Sequence, residues 1–405
     1  LQHGFAAAFT DTGHDQTVRP LGTFAHDDLA AEVDYAFRAV HVTAVTAKTL
    51  IERYYGSAPR FSYFNGCSTG GRQGLISAQR FPQDFDGIVV GAPVLDFTGT
   101  IISYLHMMRA LSDAAFTPAH LERLATAVYD RCDAVDGLED GLIDDPRACP
   151  FEPGSELPRC PSGSAADTCF SDTHVHALEQ IYAGVIHDGA VIFPGLPVGS
   201  EISADQPPFG RSSGWIPWLV RGTTRGFEGP IAEVFAETFL KYLAFEQDDP
   251  TYGIQQFDLE RDLPRMARAR RLLNATDPDL RPYRARGGKI LMYFGWADAG
   301  LNPLMGVDYF ERMDATMNGS SDFFRLFMMP GVFHCQGGVG PDQFDAMTPL
   351  IEWVESGHAP RRLQAAKVID SAIQRTRPLC PYPQVARYSG AGDSNDAVNF
   401  DCSDP

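Results

Sequence analysis

The chain has 405 residues, 44% of them hydrophobic and 21% charged, with 33 Lys+Arg against 52 Asp+Glu and a formal net charge of −19. That is a globular composition, long enough for one large domain or two, and its acidity argues against nucleic acid, whose phosphates call for basic stripes. No apolar run approaches the roughly 18 residues of a membrane span, so neither nucleic acid nor membrane is an expected partner. A soluble enzyme or binding protein is the expectation.

The first residue is Leu1 and no charged-then-apolar leader precedes it, which reads as a processed or fragmentary chain. Gly4 to Phe9 reads as a buried strand closed by the polar turn Thr10-Asp11-Thr12-Gly13-His14. From Asp28 to Tyr55, apolar residues at helical spacing (Leu29, Val33, Phe37, Val40, Ala44, Leu50, Ile51) predict one long amphipathic helix. Arg60 to Phe64 predicts a strand, followed by a Gly-rich turn, a helix from about Gly71 to Arg80 and a strand from Gly87 to Val90. This alternation predicts a parallel sheet with helices on its faces. From about residue 96 to 282 the chain turns loop-rich, with scattered helices and clusters such as Phe193-Pro194-Gly195-Leu196-Pro197. Sheet signals resume at Lys289 to Trp296 and Phe323 to Met329. The expected organisation is an α/β core in two parts, residues 1–95 and 283–405, interrupted by a lid domain over residues 96–282.

Gly66-Cys67-Ser68-Thr69-Gly70 matches Gly-x-Ser-x-Gly, the turn that exposes a nucleophilic serine between a strand and a helix. The flanking strand and helix supply that context. A serine nucleophile needs a histidine base and an acid to orient it, in the chain order Ser, acid, His for this architecture. Both belong just past the carboxyl ends of later strands. Asp298 follows the strand ending at Trp296, and His334 follows the strand ending at Met329 through Pro330-Gly331. The rival acids Asp308, Asp314 and Asp322 fall in or around the intervening helix, and the rival base His358 follows a helix rather than a strand.

The eight cysteines contain no Cys-x-x-Cys pair, which argues against a zinc ribbon or a thioredoxin-like site. Their even number predicts disulfides and a secreted or periplasmic protein. Cys67 immediately precedes Ser68 and Cys335 immediately follows His334. A disulfide between them would hold their Cα atoms within about 4.4–6.8 Å and bring nucleophile and base together.

The segments Gly66-Cys67-Ser68-Thr69-Gly70-Gly71-Arg72, Trp296-Ala297-Asp298 and His334-Cys335 resemble those of the tannase and feruloyl esterase family, which includes mono(2-hydroxyethyl) terephthalate hydrolases. Thr10 to His14, Arg38-Ala39-Val40-His41, and Asp84 to Ile88 through Gly91-Ala92-Pro93 are similar to its other recurrent segments. The resemblance implies an α/β-hydrolase fold with a large inserted lid, and a secreted serine carboxylesterase acting on hydroxycinnamate or gallate esters, with a small aromatic ester as substrate. It implies Ser68 as nucleophile, His334 as base, Asp298 as orienting acid, and the Thr69 N–H as a donor of the oxyanion hole. It also implies early strands and a second oxyanion donor ahead of the segment like Gly4 to His14, which a separate N-terminal chain or segment would have to supply. A catalytically silent binder of aromatic esters on the same scaffold is the competing expectation.

Between Cys132 and Leu142, carboxylates crowd around two glycines. Taken alone this run reads as a solvated acidic turn. The resemblance implies instead a structural Ca²⁺ held by the side chains of Asp133, Asp136 and Asp140 and the carbonyls of Leu138 and Leu142, an all-oxygen set of the kind calcium prefers. It further implies the pairings Cys132–Cys149, Cys160–Cys169 and Cys380–Cys402. Trp215, Trp218 and Phe227 are candidates for an aromatic acyl pocket, although such residues more often build core.

Overall fold

In a computed structural model, residues 4–161, 166–201, 214–220, 223–224 and 227–405 are described. Four parallel strands, β1 (Tyr63–Cys67), β2 (Gly87–Gly91), β3 (Lys289–Gly295) and β4 (Phe324–Met329), form the central sheet in that spatial order. Parallel strands need long crossovers. Between β1 and β2 runs a helix over Thr69–Arg80, between β3 and β4 one over Pro303–Met317, and between β2 and β3 the whole insertion. The two ends of that insertion meet where the Ala275 N–H donates to the Leu95 carbonyl at 2.7 Å.

The strands read as near-continuous apolar runs because both faces of the sheet are buried. Successive side chains still alternate between two cores. Ile88, Val90, Ile290, Met292, Phe294, Phe324 and Leu326 join the large core shared with the helices of the insertion. Val89, Leu291, Phe327 and Met329 face the other way, against Leu350 and Trp353 of the Met347–Ser356 helix. The insertion therefore shares one continuous core with the sheet.

Helix labels used below are α1 (Ala39–Tyr55), α2 (Thr69–Arg80), α3 (Phe97–Ser112), α4 (Pro118–Cys132), α5 (Trp215–Leu219) and α6 (Pro303–Met317). The helix predicted over Asp28 to Tyr55 is present but interrupted. A turn over Leu29–Val33 passes through a π-helical turn at Asp34–Arg38 before α1. Such a turn spoils the regular i→i+4 ladder, and these insertions gather near functional sites. The carbonyls of Tyr35 and Ala36 are taken up by the fully buried guanidinium of Arg72, at 3.0 and 3.1 Å. Hydropathy spacing carries no sign of this, because the apolar period is kept through the turn.

The buried strand expected at Gly4 to Phe9 is not there. The segment pairs with no strand among the described residues, and Phe9 is 93% exposed. Its apolar composition is compatible with a strand, but a strand needs a ladder partner for its backbone groups. Here the Phe5 ring meets the sheet edge-on to Tyr63 at 6.2 Å. Past β4, an antiparallel hairpin of Leu363–Ile369 with Ala372–Leu379 and a two-stranded ribbon of Val385–Tyr388 with Phe400–Ser403 complete the chain.

Candidate active site

β1 ends at Cys67 and α2 begins at Thr69, leaving Ser68 as the sharp turn between them, at φ 63° and ψ −123°. A positive φ on a residue with a Cβ is costly and persists only where surrounding structure enforces it. Two glycines make that bend possible. A Cβ on Gly66 would come within 2.6 Å of the Gly70 carbonyl carbon, and one on Gly71 within 2.4 Å of the Gly91 carbonyl oxygen. Gly70, the last glycine of the sequence motif, has open space around it, so Gly71 carries the close approach instead. The Ser68 N–H donates to Gly91 at 2.9 Å and the Ser68 carbonyl accepts from Arg72 at 3.0 Å, which fixes the turn at both ends. Arg72 then anchors α2 through the π-turn carbonyls and that of Leu273 at 3.2 Å. Thr69, as first residue of α2, has an N–H without an intrahelical acceptor, at the positive end of the helix.

Asp298 lies three residues past β3 and is fully buried. Its Oδ1 accepts the N–H groups of Gly300 and Leu301 at 2.9 and 2.8 Å, and its Oδ2 lies 2.8 Å from His334 Nδ1. With Oδ1 held by two donors, Oδ2 is directed to the imidazole; a carboxylate only accepts, so His334 Nδ1 is the donor of this pair, and Nε2 faces the other way, 3.8 Å from Cys335 Sγ. The rival groups are elsewhere. Asp308 pairs with Arg312, Asp314 accepts from Ser320, Asp322 pairs with Arg284, and His358 is exposed.

Cys67 and Cys335 are bonded, with Cα atoms 6.1 Å apart, so Ser68 and His334 occupy adjoining turns. Ser68 Oγ makes no hydrogen bond among the described residues; bonds of this type commonly tighten only when substrate is present. The other six cysteines pair as Cys132–Cys149, Cys160–Cys169 and Cys380–Cys402, leaving no free thiol. Trp218 of α5 stands edge-on to the His334 ring at 5.6 Å, bringing an aromatic wall from the insertion to the dyad. Trp215 is instead core, its Nε1 donating to Ser200 Oγ at 2.9 Å, and the side chain of Phe227 lies outside the described residues.

The acidic run after α4 folds around its own carboxylates. Asp133 accepts the N–H of Asp140 at 3.1 Å and that of Gly141 at 3.0 Å; Asp136 accepts from Leu138 at 2.9 Å, and Asp140 from Leu142 at 3.1 Å. Asp140 also pairs with the buried Arg377. Asp144, absent from the sequence-based set, hydrogen-bonds Asp136. Its carboxyl is pushed up to about 8, by burial first and then by the charges of Asp136 and Asp140, with Arg377 opposing. Asp136 is raised as well, again chiefly by burial. Negative charge crowded on hard oxygen donors is the chemistry a divalent cation such as Ca²⁺ satisfies, although no three of these carboxylates converge on one point among the described residues. Asp144 follows Leu142 by two residues in the same acidic stretch, and that continuity was the available signal. Arg377, more than 200 residues away, left none.

Comparison with known proteins follows the same pattern. A family profile described as tannase and feruloyl esterase matches residues 1–403. Mono(2-hydroxyethyl) terephthalate hydrolase of Piscinibacter sakaiensis is 35% identical over 457 aligned positions, covering 100% of this chain and 75% of that protein. A probable feruloyl esterase B-2 of Aspergillus terreus is 28% identical, covering 98% of this chain and 76% of that protein. Among solved structures, feruloyl esterase B from Aspergillus oryzae superposes with a TM-score of 0.83 at 26% identity, over 95% of this chain and 77% of that one.

Proposed function

The chain belongs to the tannase and feruloyl esterase family and is a carboxylic ester hydrolase of α/β-hydrolase fold, and from that premise we propose a secreted serine esterase acting on esters of aromatic acids. The observation that carries this reading is the Cys67–Cys335 bond beside the 2.8 Å Asp298–His334 contact, which makes Ser68 and His334 neighbours. Ser68 Oγ attacks the ester carbonyl as His334 Nε2 takes its proton. Negative charge develops on the carbonyl oxygen, toward the Thr69 N–H, while Asp298 stabilises the imidazolium. Collapse expels the alcohol, which receives that proton. Water then gives a proton to the same nitrogen and adds to the acyl carbon, and a second collapse frees the acid and returns the proton to Ser68. Trp218 beside His334 supports an aromatic acyl group, as do the substrates in the relatives' names. The four disulfides support an oxidising destination; among the described residues no helix is long and apolar enough to cross a membrane.

The test is release of free acid from methyl ferulate, methyl gallate and mono(2-hydroxyethyl) terephthalate, with a fluorophosphonate added in parallel. Turnover of at least one ester, abolished by a single adduct mapped to Ser68, is expected. Turnover that survives complete labelling of Ser68 would sink the nucleophile assignment. The ratio of the three rates identifies the substrate branch.

The second part of the proposal is a structural Ca²⁺ held by Asp133, Asp136 and Asp140 with the carbonyls of Leu138 and Leu142. When bound it would offset the charge that these aspartates and Asp144 bury together. At a free cation concentration a hundredfold above Kd, the stabilisation is about 2.7 kcal/mol. Chelation is therefore expected to lower Tm, with recovery on adding calcium chloride but not on adding sodium chloride of equal ionic strength. Asp136→Asn is expected to remove that response. A Tm indifferent to chelator at micromolar protein would rule the site out.

A further inference from the structure

The acid of the site is wired to the insertion through one peptide group. Tyr104, in the middle of α3, is buried, and its hydroxyl donates to the Gly300 carbonyl at 2.6 Å. That carbonyl belongs to the same peptide as the Leu301 N–H, which donates to Asp298 Oδ1 at 2.8 Å. Asp298 Oδ2 in turn meets His334 Nδ1 at 2.8 Å. The order is thus hydroxyl, carbonyl, amide N–H, carboxylate, imidazole, and in such a chain each bond polarises the next. Burial, and after it the charge of Asp298, push the Tyr104 phenol well above its ordinary value, so the hydroxyl stays protonated and acts as a donor.

The same residues close on the other side. Trp218 lies 6.2 Å from Tyr104 and 5.6 Å from His334. Residue 300 lies under its indole, where a Cβ would come within 2.4 Å of Trp218 Cζ2. Glycine there lets the loop that carries the Asp298 donors pass between α3 and α5.

We propose that Tyr104 is a positioning residue for the Asp298–His334 pair, acting through the Gly300–Leu301 peptide. Its hydroxyl strengthens the Leu301 N–H as a donor, which holds Asp298 in the rotamer that faces His334. The proposal deepens the triad reading and rests on it. The bland alternative is a hydroxyl that only satisfies a buried carbonyl.

Tyr104→Phe keeps the ring and removes the hydroxyl. Tyr309→Phe is the matched control, since Tyr309 is also fully buried and also donates to a backbone carbonyl, that of Asp277 at 3.0 Å. Both variants are expected to lose thermal stability. Only Tyr104→Phe is expected to lower kcat, by about three- to tenfold with KM unchanged, and to move the acid limb of the kcat/KM profile to lower pH, because a less firmly held Asp298 stabilises the imidazolium less. The far-downfield proton resonance of His334 Nδ1–H reads the dyad without substrate, and it should shift in Tyr104→Phe and stay in Tyr309→Phe. An unmoved resonance, or equal kinetic effects in the two variants, overturns the proposal. Failure of the triad reading itself would appear separately, as turnover that persists in Ser68→Ala.

Discussion

Ser68→Ala is expected to lower kcat on an aromatic methyl ester by roughly 10⁴–10⁶-fold, and Asp298→Asn by about 10⁴-fold, with little change in KM. The serine loss is the larger because nothing else at the β1–α2 turn can form the acyl bond; what remains is stabilisation by the helix terminus and by substrate binding. The asparagine result follows from the bonds Asp298 makes. Its Oδ1 already accepts two N–H groups, from Gly300 and Leu301. In the variant the amide oxygen must take that place, since an NH₂ there would face two donors. The NH₂ then points at His334 Nδ1, which has to become an acceptor, and the imidazole proton moves to Nε2. The base is lost although nothing has shifted. A factor of 10⁴ corresponds to about 5.5 kcal/mol of transition-state stabilisation. Because the residues act as one unit, Ser68→Ala/Asp298→Asn is expected to be no slower than Ser68→Ala alone. Single-turnover kinetics on both variants, with Tm measured alongside, check this. Asp298→Asn retaining more than a few per cent of kcat would assign the acid elsewhere.

What could be read in the sequence divides by the distance over which the information acts. The turn at Ser68 was legible because strand, small residues and helix are consecutive. Asp298 and His334 were legible because parallel strands deliver their loops to one edge of the sheet. The cysteine beside each of two distant residues ties Ser68 to His334. What stayed hidden acts across the fold. Tyr104 is one of many apolar-aromatic positions on a core helix, and only the path of the Gly300 loop gives its hydroxyl a role. Asp140 meets Arg377 across 237 positions, a pairing no local pattern carries. The π-turn at Asp34–Arg38 depends on the buried Arg72 that serves its carbonyls. Gly4 to Phe9 failed for the opposite reason: apolar composition predicts what a strand can be made of, not whether a neighbouring strand is there to pair with it.

The double variant Cys67→Ser/Cys335→Ser is expected to lose about 10²-fold in kcat and several kcal/mol of stability. The crosslink closes a sequence separation of 268 residues, for which the chain-entropy model gives about 5.6 kcal/mol, with measured disulfides more typically about 2–4. Its kinetic effect has a separate origin. His334 is held by Asp298 at one side of its ring, and the chain then turns at Cys335, which sits at φ 66°. Without the bond to Cys67 that strained turn can relax, and the imidazole loses its registration to Ser68 while keeping its acid. A misplacement of about 1 Å is enough to cost a factor near 10². Cys160→Ser/Cys169→Ser supplies the comparison, because its separation is only 9 residues and neither cysteine adjoins a triad residue in the chain. The same model gives about 2.5 kcal/mol there, and kcat is expected to be unchanged. Measuring kcat well below the Tm of each variant separates the two effects. If the Cys67/Cys335 variant unfolds earlier but turns over at the parent rate, the bond does no more than the Cys160–Cys169 bond does, and the position of His334 is set by Asp298 and the surrounding core alone.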